Sequence, residues 1–261
     1  MTMPAQTPST LDEALRLIAQ QNAEITRLQA AHASWMRAVA HDLRAPLRHV
    51  VSFAPLLQES VQELAAAAPQ AVYAAEDAQE FAATMAQSAR KMSAMLDGMA
   101  QVSRAARMPL HLGVVDATTV AQSLVQSLQA QYPQVQWSLP TRPAPVLADS
   151  EALRMVLQAL LDNAVKFSAQ QMPPRIGVQA EPVEQGWRLE VRDNGAGFDD
   201  GRAQALGELF QRMHRDNEFE GVGCGLALVN TLVQRHGGRW SVQSQPQAGC
   251  TVYVEWPSVA G

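Results

Sequence analysis

The chain has 261 residues, of which 47% are hydrophobic, so a disordered tail and a disulfide-stapled miniprotein are both excluded. Its 20 basic and 25 acidic residues give a net charge of −5, which argues against a broad surface that binds nucleic acid. No run of about 18 apolar residues and no secretion signal is present, and only Cys224 and Cys250 occur, so we expect a cytoplasmic protein with reduced thiols.

Residue usage changes near Met108. Before this point Ala, Gln, Leu and Met dominate at helical spacing, whereas Gly, Pro, Trp and alternating apolar residues follow it. The change predicts two domains, an all-helical one over residues 1–108 and an α/β one over residues 109–261.

The first helical segment has apolar residues at alternating steps of four and three, with a polar Asn22 between them. The apolar positions are Leu11, Leu15, Ile18 and Ile25. This spacing predicts a short parallel coiled coil through which an upstream sensor could act. An amphipathic helix that packs on its own domain fits the same residues equally well.

A long helical hairpin follows. Its first apolar stripe comprises Met36, Val39, Leu43, Leu47, Val50, Ala54, Leu57, Val61 and Leu64. Its second comprises Phe81, Met85, Met92, Met95, Met99 and Val102. Each stripe predicts a helix that buries one narrow face. Two helices bury too little surface alone, so we expect a homodimer in which two antiparallel hairpins form a four-helix bundle.

His41 lies two residues from both Val39 and Leu43, which places it almost opposite the first stripe and predicts exposure to solvent. A lone exposed histidine is more often inert than reactive. Here Asp42 follows directly, and Pro46 would remove a helical hydrogen bond just beyond it. This local context favours a histidine with a chemical role.

The second domain is expected to contain a helix that Asp149 caps and that carries Asn163 and Lys166 near its end. Alternating residues predict strands around 176–180 and 187–191. A glycine-rich segment then opens another helix, which ends near Arg235. Glycines before a helix N-terminus suit phosphate binding, although such a loop alone is weak support.

Five segments carry a resemblance to a known family. AVAHDLRAPLRHV resembles the phospho-acceptor box of sensor histidine kinases, and within them a phytochrome-like subgroup. LLDNAVKFS, DNGAGF, LFQRMHR and GVGCGLALV resemble the four boxes of their ATP-binding domain, whose fold DNA gyrase and MutL-type ATPases share. The resemblance implies an α+β multidomain protein, with a dimeric helical hairpin followed by an α/β sandwich that binds ATP.

The same resemblance implies roles for individual residues. His41 would accept a phosphoryl group from Mg-ATP and pass it to an aspartate of a response regulator, while Asp42 orients the imidazole. Asn163 would bind Mg²⁺, and Asp193 would accept a hydrogen bond from adenine. The other residues expected to bind the nucleotide are Lys166, Gly195, Gly197, Arg212, Arg215, Gly221, Gly223 and Gly225.

Three positions depart from the family pattern. Ala159 stands where related ATPases have a water-activating glutamate and histidine kinases commonly have Asn, and Val222 stands where relatives often have Thr or Ser. Ala45 lacks the hydroxyl or amide that supports dephosphorylation of the response regulator in many relatives. The sequence therefore leaves an alternative open, a catalytically weak or inactive dimeric scaffold that binds nucleotide and regulates a partner kinase.

Overall fold

The structure is a computed structural model that describes residues 15, 18, 19, 21, 40, 43, 44, 47–66, 72–184, 186–199, 201, 206–214 and 218–257. His41, Asp42, Arg215 and most of the expected coiled coil lie outside these residues. Within the described ranges, no helix is long and apolar enough to cross a membrane.

The amino-terminal part is a helical hairpin. Helix α1 covers residues 47–66, and helix α2 runs over Val72–Ala105. The residues buried between them recur every seven positions and are mostly small. They are Ala40, Leu47, Ala54 and Val61 on the first helical segment, and Ala75, Ala82, Ala89 and Leu96 on α2. Small side chains allow the two helix backbones to approach closely.

The first apolar stripe does not form one buried face within the single chain. Leu47, Ala54 and Val61 are buried, whereas Leu57 and Leu64 remain 47% and 67% exposed. On α2, Phe81, Met85 and Met92 are exposed as well. Within a single chain each helix buries only the inner half of its stripe, because one partner helix covers a narrow face, and burial of the outer half in a dimer stays a prediction.

The rest of the chain forms a layer of helices on a mixed sheet. The elements are β1 (Gly113–Asp116), α3 (Ala117–Gln131), β2 (Gln136–Ser138), β3 (Pro145–Ala148), α4 (Ser150–Ser168), β4 (Arg175–Val183), β5 (Gly186–Asp193), α5 (Gly225–Arg235), β6 (Arg239–Gln245) and β7 (Gly249–Pro257). The main sheet has the order β2-β4-β5-β7-β6, in which only the β2–β4 pair is parallel. Strands β1 and β3 form a separate antiparallel pair. The architecture is α+β, as expected.

Helix α4 lies at the centre of the helical layer and packs on α3, α5, β4 and β5. The predicted N-cap is confirmed, because Asp149 accepts hydrogen bonds from the backbone N–H groups of Ala152 and His111, each at 2.9 Å. The buried His236 ring accepts from the Asp149 N–H at 3.1 Å. The start of α4, the helix that carries Asn163 near its end, is thus held by a residue before β1 and a residue after α5.

Candidate functional site

A cavity of about 660 Å³ lies between α4, the loop before α5, the sheet and α2. Most of the residues expected to bind nucleotide line it: Asn163, Lys166, Asp193, Gly197, Arg212, Gly221, Gly223 and Gly225. Gly195 is not part of the lining, and Arg215 is outside the described residues. Tertiary structure thus brings together residues from four separate sequence segments.

On the sheet side of the cavity, Asp193 ends β5 opposite the first residues of β7. The carboxylate is buried and accepts a hydrogen bond from the Gly195 N–H at 2.8 Å. Burial raises the pKa of Asp193 to about 6, against the lowering effect of the N–H groups of Gly195 and Cys250. Val191 and Val252 make the surroundings apolar. A buried acceptor in such surroundings suits the amine edge of a planar base.

The two glycines after Asp193 have a packing role. A Cβ at Gly195 would overlap the Phe167 carbonyl, and one at Gly197 would overlap the Gln245 carbonyl. Gly197 also has a φ of +56°, in the left-handed region that favours glycine. The missing side chain of Gly195 thus brings the loop against α4, and its expected role in nucleotide binding stays a prediction.

The loop side of the cavity carries positive charge. The Lys166 Nζ lies 3.4 Å from the Asn163 Oδ1 and 4.2 Å from the centre of the Phe167 ring. Burial lowers the pKa of Lys166, and the nearby Arg212 lowers it further. Two cations that repel each other in a partly buried site are stabilised when an anion binds between them.

The glycine-rich loop covers these side chains. Gly221 and Gly223 have φ values of +118° and +75°, and a Cβ on Gly225 would lie 3.4 Å from the Asn163 amide. Cys224, the N-cap of α5, makes no side-chain cap hydrogen bond. The first N–H groups of α5 are therefore open to an anion, as is the positive end of the helix dipole.

These donors fit a polyphosphate and its divalent cation. The lysine, the arginine and the uncapped helix start attract phosphate oxygens, and the Asn163 amide oxygen is a ligand that Mg²⁺ accepts. Among the described residues, no group of three His, Cys, Asp or Glu side chains could hold a metal ion alone. A cation bound here would take further ligands from the phosphates, which is usual for Mg²⁺.

Three aromatic rings join the segment after Gly207 to the end of α4. The rings of Phe167, His214 and Phe219 lie with centroids 4.8 to 5.3 Å apart. The Arg212 guanidinium donates to the Phe219 carbonyl. Burial lowers the pKa of His214, partly opposed by Glu218. These contacts hold residues 212–214 and Phe219 beside the end of α4.

Helix α2 forms a further wall that the sequence analysis missed. Its lining residues are Ala94, Asp97, Gly98, Gln101 and Arg104. Gly98 is the only glycine among the first 108 residues, and it stands within a helix where glycine costs about 1 kcal/mol relative to alanine. That isolated glycine was the signal that another backbone approaches α2 at this point.

Comparisons with known proteins agree with this geometry. Residues 148–260 match the family described as histidine kinase-, DNA gyrase B-, and HSP90-like ATPase. Cyanobacterial phytochrome A of Nostoc sp. (strain PCC 7120 / SAG 25.82 / UTEX 2576) is 28% identical over 241 residues, which cover 92% of this chain. Histidine protein kinase DivJ of Caulobacter vibrioides (strain ATCC 19089 / CIP 103742 / CB 15) is 26% identical over 91% of this chain, so the chain is similar to a histidine kinase over most of its length.

Solved structures extend the likeness. The mycobacterial sensor histidine kinase MprB is 27% identical with a TM-score of 0.50, covering 56% of this chain and 97% of that chain. Full-length ShkA, solved in complex with AMPPNP, shares the fold at 20% identity and a TM-score of 0.58, covering 87% of this chain and 47% of its own. This chain spans 30% of the length of the phytochrome that it matches.

Proposed function

We propose that the chain is an ATP-dependent protein-histidine kinase that phosphorylates its own His41 and passes the phosphoryl group to an aspartate of a response regulator. The observation that supports this most is the composition of the cavity. A buried carboxylate on the sheet side stands together with two cations and an uncapped helix start on the loop side. An adenine nucleotide has the complementary order of groups.

In this proposal Asp193 accepts a hydrogen bond from the adenine amine, and the backbone N–H groups at the start of α5 bind phosphate oxygens. Lys166 and Arg212 balance the phosphate charge, and Asn163 offers its amide oxygen to Mg²⁺. Bound Mg²⁺ would supply charge neutralisation on the phosphates during transfer. The glycines Gly221 and Gly223 allow the loop to fold over the phosphates.

The transfer step needs a nucleophile rather than an activated water. A ring nitrogen of neutral His41 would form a bond to the γ-phosphorus as the bond to the bridging oxygen breaks and ADP leaves. Asp42 would accept a hydrogen bond from the other ring N–H and stabilise the resulting charge. Ala159 offers no carboxylate to activate water, so hydrolysis is expected to be slow.

One ion pair supports this route. Arg44, three residues after His41, donates to the Asp97 carboxylate at 2.7 Å, and Asp97 lines the cavity. The first helix of the hairpin is thereby tied to the cavity wall at a position three residues along the chain from the proposed phospho-acceptor. Movement between the two proposed domains, residues 1–108 and 109–261, would complete the approach.

The exposed half of the helical stripes supports a homodimer. On the first helical segment the outer positions recur at multiples of seven residues: Leu43, Leu57 and Leu64 are exposed, and Val50 between them is half-buried. Met85 and Met92 continue this seam on α2, beside a groove of about 490 Å³. Two such seams facing each other would form the four-helix bundle, and a large exposed apolar surface is uncommon in a monomer.

The alternative, an inactive nucleotide-binding scaffold, is favoured by Val222, which lines the cavity without a polar group. Incubation with Mg-[γ-³²P]ATP separates the two. The kinase is expected to acquire acid-labile, alkali-stable label that His41→Gln removes, whereas nucleotide binding by calorimetry without label indicates the scaffold. Absence of both label and binding contradicts the proposal in either form.

A further inference from the structure

The carboxyl-terminal half of α2 is seated firmly against α5. Gly98 faces Cys224 so closely that a Cβ at this position would lie 2.8 Å from the Cys224 Cβ. Glycine is therefore the residue that permits the two backbones to meet at this point. The start of α5, with its open N–H groups, is thus held beside α2.

A second contact holds the other end of this pair of helices. The Arg235 guanidinium, at the end of α5, donates to the carbonyl oxygens of Ala105 and Met108 at 2.7 and 2.8 Å. The last carbonyl groups of a helix lack partners within it, and a cation there also complements the helix dipole. The α2 wall is thus fixed by close packing near Gly98 and by an arginine cap near Ala105.

Two charged side chains of the α2 wall, Asp97 and Arg104, differ in whether another side chain already binds them. Asp97 is already paired with Arg44. The Arg104 guanidinium makes no hydrogen bond or ion pair with any described residue, although it lines the cavity. Long side chains on a helix lean towards its N-terminus, which places Arg104 over the preceding turn, where Gln101 also lines the cavity.

The charge around the cavity suits such a contact. Its described acidic lining residues are Asp97, Asp193 and Glu208. Asp97 is neutralised by Arg44, and Asp193 lies on the sheet side. Lys166 and Arg212 already make the loop side positive, and a third cation there gains stability only when a polyanion is bound.

We propose that Arg104 is a nucleotide-binding residue that contacts the phosphates, so that nucleotide affinity depends on the docking of α2 against α5. This inference rests on the proposed nucleotide-binding function and adds to it a residue from outside the ATP-binding domain. Nucleotide would in turn stabilise the docked arrangement, because binding and docking are linked reciprocally.

The test compares ligands that differ only in their phosphates. Titration calorimetry on the full chain measures the affinities of adenosine, Mg-ADP and Mg-ATP for the parent and for Arg104→Gln. A lost charge-assisted hydrogen bond corresponds to about a tenfold loss in affinity. We expect a loss of this order for Mg-ATP, a smaller one for Mg-ADP and none for adenosine. Arg104→Lys is expected to recover part of the affinity for Mg-ATP.

Arg90→Gln is the matched control, since Arg90 lies exposed on α2 outside the cavity lining. It is expected to bind all three ligands like the parent. An equal loss for adenosine and Mg-ATP, or no loss at all, overturns the role of Arg104 while leaving the proposed function intact. A parent that binds no adenine nucleotide overturns both.

A second variant tests the link to docking. Arg235→Gln removes the cap on α2 but no cavity residue. If docking presents Arg104 to the phosphates, Arg235→Gln weakens Mg-ATP binding in the parent and has little further effect in an Arg104→Gln background. Fully additive losses would contradict the linkage. Thermal melting of each variant shows whether the chain remains folded.

Discussion

Gly98 of α2 and Cys224 of the glycine-rich loop are in direct contact, with no space for a side chain at position 98. We expect Gly98→Ala to weaken nucleotide binding several-fold, because the added methyl group would push α2 away from the start of α5. The substitution by itself favours the helix by about 1 kcal/mol, so α2 should not unfold. Calorimetry with Mg-ADP and a thermal melt measure the two effects.

Gly113→Ala is a control for that variant, since a Cβ at Gly113 meets nothing within 4 Å. Adding Cys224→Ala to Gly98→Ala removes the Sγ that the methyl group would overlap, and we expect part of the affinity to return. An unchanged affinity in Gly98→Ala would show that contact between α2 and the loop has no bearing on the cavity.

The buried Asp193 predicts a pH dependence of adenine binding. Its pKa is raised to about 6, so the ionised form that accepts the amine hydrogen bond is lost as the pH falls through 6. Adenosine affinity is expected to decrease from pH 7.5 to pH 5, and Asp193→Asn should bind with little dependence on pH. Adenosine is the suitable ligand because it has no phosphates that titrate. A flat profile for the parent would contradict this assignment.

The same shift has a consequence for stability. A carboxyl group whose pKa is higher in the folded state stabilises the fold when protonated, and this contribution is lost as the pH rises through about 6. Asp193→Asn is therefore expected to raise the melting temperature more at pH 8 than at pH 4. Differential scanning calorimetry at both pH values tests this, and a larger gain at pH 4 would refute the sign.

Asp149, whose pKa is lowered, predicts the opposite dependence of stability on pH. Although burial alone would raise its pKa, hydrogen bonds from the N–H groups of Ala152 and His111 lower it overall. Its stabilisation is thus present above the unfolded pKa and is lost as the pH falls through the folded value. Asp149→Ala is expected to cost about 1–2 kcal/mol in the free energy of unfolding at neutral pH. Denaturant titration measures this cost, and Asp149→Asn should lose less because it retains an acceptor.

The exposed apolar residues on α1, among them Leu57 and Leu64, predict that a charged substitution there weakens dimerisation. Leu57→Glu, in the outer row, is expected to shift the protein from dimer to monomer, since a buried unpaired carboxylate is unfavourable. Ser52→Glu introduces the same charge on the same helix at an exposed position away from this seam. Sedimentation analysis should find that variant dimeric. Dimers of equal strength in both variants would contradict the proposed bundle.

The elements with strong periodicity were predictable. Helix α4 with its Asp149 cap, helix α5 and the two central strands follow the expected residues closely. The region between Gly113 and Ala148 was not predicted, because its strands have only three or four residues and a period of two cannot be recognised over that length. Helix α3 between them was missed with them.

The amino-acid order alone specifies which residues can cap a helix, turn a loop or alternate along a strand, because those choices depend on neighbours a few positions apart. The resemblance of its compact motifs to a known family also identifies many of the residues that line the cavity. Only the tertiary structure decides how much of each apolar stripe stays exposed. It also decides that α2 closes the cavity through contacts of Gly98 and Arg104 with the other part of the chain. These contacts join segments more than 100 residues apart, and no local pattern records the distance between their backbones.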